Sequence, residues 1–163
     1  MNDNLKLRYE ELKRKNAESI RKNNWKRNIM LQDCLALLGD RAEILPVDIQ
    51  DEIIRDVNDI LENNYNNFYN NFAKCGDIDN IEAVLKEWYG ETAYIVWNEI
   101  KLPVVKCTVS EIANNISSIV EVDFETMIVS KGCCVCVRID DYDMMSVYKQ
   151  WFVLIYLLPE HFL

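Results

Sequence analysis

The sequence predicts an α+β fold in which N-terminal helices pack on a C-terminal antiparallel β-sheet, a meander. Three observations predict it. Up to about residue 90, apolar side chains recur every three or four positions, the spacing of one helix face. Beyond residue 91, β-branched and aromatic residues gather in short runs broken by turn residues, the pattern of strands. The 163 residues are half apolar with only four Gly and three Pro, which suits a folded core and argues against disorder. The expected organisation is one domain over 1–163, with a basic amphipathic helix over 1–24, a helical region over 25–90 and mixed, mainly antiparallel strands over 91–163.

Taken in order, Leu5, Tyr9, Leu12 and Ile20 fall at helical spacing among charged and amide residues, so 4–22 reads as an amphipathic helix with a thin apolar face. A second helix is expected over 25–38, with Ile29, Met30, Cys34, Leu37 and Leu38 inward and Gly39 ending it. The clearest periodicity follows: Ile49, Ile53, Val57, Ile60, Leu61, Tyr65, Phe68 and Phe72 predict one long helix over about 47–74, started by Pro46 and Asp48 and stopped by Gly76. The stretch 63–72 is rich in Asn and poor in helix formers, so a bend or second segment is the alternative there.

A short helix over 77–89 is capped by Asp77 or Asp79 and closed by Gly90. Strand and buried helix compete over 93–97. Val104–Val109 reads as a strand, and Thr108 and Glu111 have the spacing of a capping box opening a helix to about Ser117. Then come strand 125–130, the turn Lys131-Gly132, strand 133–139, an acidic turn over 140–143 and a long strand over 146–158.

Within 133–139, Cys133 and Cys136 form a C-x-x-C pair of the kind that binds zinc or exchanges thiols in a turn. In a strand its two sulfurs point to opposite faces, with Val135, Val137 and Ile139 on one side and Cys134, Cys136 and Arg138 on the other. The structural reading is preferred, and no metal or cofactor is expected. The Asp clusters fail the calcium-loop pattern, since the fifth position from Asp77 is Ile81 and the fifth from Asp141 is Met145. The one histidine, His161, stands three residues from the end, and no nucleophile elbow, phosphate loop or dinucleotide fingerprint occurs. What remains for catalysis is a carboxylate enzyme, such as a metal-dependent nuclease using Asp77 or Asp79 with Glu99 and Lys101.

Charge is the most informative feature left. Residues 1–27 carry nine bases against four acids, a balance of +5, while the remainder carries nine bases against 23 acids, a balance of −14. Within 40–62 stand eight acids against Arg41 and Arg55, and on the third helix Asp48, Glu52 and Asp59, with Asp51 and Glu62 nearby, crowd the side opposite the Ile/Val stripe; these five and Asp56 are the expected partner-binding residues. A field of this sign steers a basic partner. The interspersed acids and the acidic remainder argue against nucleic acid as the target of the basic helix. That helix is expected to dock on the acidic helix of its own domain or of a second copy, so a homodimer is allowed.

The N-terminus lacks the apolar run of a secretory signal, and the longest apolar run, Trp151 to Leu158, falls short of the about 20 residues a spanning helix needs. A cytoplasmic protein away from membranes is expected, its six cysteines kept as thiols. The function these points favour is non-catalytic: an acidic binding protein, most concretely an immunity-type inhibitor that occludes the cleft of a basic toxin such as a nuclease. A carboxylate enzyme and an adaptor or oligomeric assembly subunit are the alternatives.

Overall fold

Alternation along the strands decides the architecture, because each strand sends successive side chains to opposite faces. In the computed structural model, which describes residues 3–66, 72–77, 79, 81–98, 102–132, 135–140 and 144–149, both faces are apolar and both are covered. The elements run α1 (Asp3–Arg27), α2 (Ile29–Leu38), β1 (Glu43–Ile44), α3 (Val47–Asn66), β2 (Phe72–Asp77), α4 (Ile81–Leu85), β3 (Thr92–Trp97), β4 (Val105–Thr108), α5 (Val109–Asn114), α6 (Ile116–Val120), β5 (Thr126–Ser130), β6 (Val135–Ile139) and β7 (Met144–Lys149). The seven strands lie in the order β1-β4-β3-β5-β6-β7-β2, every pair antiparallel. The expected α+β class holds, with β5, β6 and β7 forming the meander.

One face of the sheet, through Ala93, Ile95, Val105, Ile128, Val137 and Ile139, packs against α2, α4, α5 and α6. The other, through Val96, Met127, Val129 and Cys136, packs against Ile53, Val57 and Ile60 of α3. Helices thus cover both faces of the sheet. The helix α3 leaves one edge strand, β1, and delivers the chain to the other, β2. Its 20 residues span about 30 Å at about 1.5 Å each, close to the roughly 29 Å of six interstrand spacings. A single helix is therefore long enough to cross the whole sheet.

Several boundaries differ from the expected ones for identifiable reasons. The first helix continues to Arg27, and the break falls at Asn28, whose side-chain oxygen accepts from Leu31 N–H at 2.9 Å and so starts α2. Gly39, at φ 58°, ends α2 as expected. The long helix is described to Asn66, residues 67–71 of the expected helix lie outside the described residues, and 72–77 is an edge strand paired with β7, with a register shift between Lys74 and Gly76. The periodicity through Phe72 mimicked a helix; a strand partner some 70 residues away overrides it. The helix expected over 77–89 shortens to α4 followed by a 3₁₀ turn over Lys86–Trp88, and Gly90 closes it at φ 92°.

The segment 93–97 resolves to strand β3. Its Trp97 ring N–H donates to the Ile119 carbonyl at 3.0 Å, fastening the sheet to α6. Thr108 precedes α5 without a side-chain cap, and its hydroxyl instead lies 3.3 Å from Ser110 Oγ. Glu111, the other half of the expected capping box, is drawn to the Arg41 guanidinium. In β6, Val135, Val137 and Ile139 face one layer and Cys136 the other, the alternation expected of a strand. Cys133, Cys134 and the turn residues 141–143 lie outside the described residues, as do 150–163, on which the rest of the long last strand was placed.

Candidate partner-binding site

The six acids singled out in the sequence all lie on α3, and the packing of that helix fixes where each points. Ile53, Val57 and Ile60 are buried, with Ile54 and Leu61 packed beside them. Gln50 lies on the same side, buried, and its amide donates to the Leu45 carbonyl at 2.5 Å, tying the helix start to the chain leaving β1. With that side turned to the sheet, Asp48, Asp51, Glu52, Asp59 and Glu62 are exposed and Asp56 is half-buried. Asp48, Glu52 and Asp59 share one stripe at helical spacing, Asp51 and Glu62 flank it, and Arg55 is the base among them. Like charges at Asp48/Glu52 and Glu52/Asp56 repel at i, i+4, each costing a few tenths of a kcal/mol. Asp48 alone gains from the helix N-terminus.

The helix does not stand free of α1. Arg21 donates to Asp51 at 3.2 Å, an exposed pair. On the same side of α1, Lys22 sits 2.7 Å from Glu18 and holds its carboxyl below the ordinary carboxylate range, with the negative charge of Asp48 working against it. Beyond Arg21 the expected docking of the basic helix on α3 is not continued: the described side chains from Leu5 to Ala17 are exposed.

Where α1, α2, β1 and α3 meet lies a mostly apolar cavity of about 520 Å³, with Trp25, Ile44, Leu45 and Pro46 in its wall and Glu18, Lys22 and Lys26 at its rim. It adjoins the Asp48 end of α3. Periodicity did not single out Arg21, Glu18 or this cavity, since each depends on how helices distant in sequence are brought together; the placement of Trp25 next to a helix break was the one local sign. Two aromatics that could anchor a partner do not offer a described exposed ring: Trp88 is half-buried against the core, and Tyr69 lies outside the described residues.

Of the residues considered for a carboxylate site, Asp79 is exposed, while Glu99, Lys101 and the side chain of Asp77 lie outside the described residues. Among the described residues no three His, Cys, Asp or Glu side chains group as metal ligands, and no helix is long and apolar enough to cross a membrane. Cys34 and Cys107 are buried free thiols, and Cys136 is buried in the sheet.

Comparison with family models gives a match over residues 28–148, from the cap of α2 to the end of the sheet's seventh strand, to the CdiI immunity proteins of the EcoliA0-like type. The chain belongs to this CdiI immunity protein family. As a CdiI immunity protein it is of the kind that acts against contact-dependent inhibition toxins, and a toxin is its implied partner. The matched segment contains α3 with all six acids, and it leaves out α1. No curated protein matches the chain.

Proposed function

We propose that this CdiI protein neutralises a basic toxin, most concretely a nuclease, in the cytoplasm by laying the outer face of α3 over the toxin's cationic substrate cleft, without catalysis of its own. The observation that carries the reading is the placement of Asp48, Asp51, Glu52, Asp59 and Glu62 on the solvent side of a helix whose other side is anchored in the sheet. A nuclease cleft is built to hold phosphates, so a rigid row of carboxylates competes for the same bases. Charge supplies steering and register. The adjoining cavity walled by Trp25 and Ile44 suits an apolar anchor from the toxin, the kind of buried contact that dominates interface energies.

The test is co-expression with nuclease-type contact-dependent inhibition toxin domains, scoring growth. Protection is expected against a basic one. The combined reversal Asp48→Lys, Glu52→Lys and Asp59→Lys is expected to abolish protection and weaken binding at least about 100-fold, or about 2.7 kcal/mol. Full protection by that variant, with its circular dichroism unchanged, would contradict the reading.

A further inference from the structure

The helix α1 lies outside the segment matched to the immunity family and carries an apolar stripe that none of the other described elements covers. Trp25 is buried and Glu18 and Arg21 are half-buried, so these three mark the side of α1 turned to the body. Leu5, Tyr9, Leu12 and Ile20 lie roughly half a turn round from that side, each between 54% and 63% exposed. Lys6 and Lys13 flank the stripe on one edge and Arg8 and Lys15 on the other, whereas Glu10 and Glu11 sit towards the body side. The outward side of the arm thus carries a thin apolar stripe, interrupted by Asn16 and Asn23 and edged by bases, while Leu7, 69% exposed, lies on the other side of the helix. Because the stripe faces away from the body along a continuous helix, the arm cannot bury it on its own α3 or α2.

The chain displays a matching surface on α2. Ile29, Met30 and Leu37 are exposed by 74%, 52% and 53% around the exposed Asp33, with Asp40 just beyond, and α2 contains no base. Of the twelve large apolar residues found exposed among the described residues, eight lie on α1 and α2. Pairing α1 with α1 would bring two sets of basic margins together, and like charges across such a seam repel. Pairing α1 with α2 of a second copy sets bases against acids and leucine against leucine. We infer that two copies of this chain associate by reciprocal exchange, the α1 stripe of each lying on the exposed face of α2 of the other. Such an exchange is isologous and closes at two. It does not depend on how the toxin is held.

Sedimentation equilibrium at about 100 μM, where a dimer of micromolar affinity is mostly formed, tests it on the full chain. Wild type is expected at twice the 19.2 kDa of one chain. The variants Leu5→Glu with Leu12→Glu, and Met30→Glu with Leu37→Glu, change exposed positions only and are each expected to raise the dissociation constant at least about tenfold, with melting curves unchanged. A monomeric wild type would overturn the inference. So would a dimer that the α1 variant breaks and the α2 variant leaves intact, which would mean α1 pairs with α1. A wild-type chain that stays monomeric and co-sediments with phosphatidylserine vesicles would assign the arm to an anionic membrane and overturn it equally.

Discussion

Gln50 is a polar side chain held at 2% exposure, and its position is explained by one bond: its amide donates to the carbonyl of Leu45, which would otherwise be without that donor at the bend between β1 and α3. Gln50→Ala removes the donor and leaves a gap, and urea unfolding is expected to show a loss of about 1–3 kcal/mol. The buried thiols show the opposite case, groups that stay neutral because they are buried. Burial, with a smaller contribution from Cys107, pushes Cys34 from 9.0 up to about 11, and burial raises Cys107 in the same direction. A thiol that ionises more easily unfolded than folded contributes stability that is complete below the unfolded value and is lost as pH rises through the folded one. Unfolding free energy is therefore expected to fall between about pH 9 and pH 11, and to fall less in Cys34→Ala; equal slopes would show that Cys34 contributes nothing to it. In native buffer near neutral pH, Cys34 and Cys107 are expected to react with Ellman's reagent only as fast as the protein opens.

At the scale of elements, α3 separates the roles of neighbouring residues. Ile60→Ala empties a site against the sheet and is expected to cost about 2–5 kcal/mol in denaturant unfolding, while Asp59→Ala, one position earlier and exposed, is expected to stay within about 0.5 kcal/mol. Comparable losses would mean the helix is not seated as described. Both faces of α3 were legible from the stride Ile53, Val57, Ile60 alone, and so were the exposed acids opposite, because a helix 20 residues long leaves its period little freedom. The strand β2 was not legible: Tyr65, Phe68 and Phe72 keep the helical stride, and only pairing with β7 makes 72–77 a strand. Thr108 likewise carries the letters of a capping box, yet Glu111 is taken by Arg41, a partner 70 positions away. Local pattern resolves what local forces decide. Arg21 beside Asp51 was hidden for the same reason, since α1 and α3 meet through tertiary packing.

For the whole molecule, the charge balance of +5 in residues 1–27 and −14 elsewhere now has a physical layout. The bases ride on an arm that touches the body near Trp25 and Arg21, and the acids of α3 lie on a helix spanning the sheet between its two edges. Charge placement led from sequence to a binding role, and the family match over residues 28–148 makes that role an immunity protein's. The proposed function turns on the outer face of α3 being the surface that meets the toxin. Its most direct measurement is the dissociation constant for the neutralised toxin at low and moderate salt, for wild type and for the triple reversal at Asp48, Glu52 and Asp59. Wild type is expected to bind tightly and to weaken steeply with salt, and the variant to bind about 100-fold or more weaker with an affinity that hardly responds to salt. Equal affinities with equal salt dependence would contradict it and place the toxin on another face of the molecule.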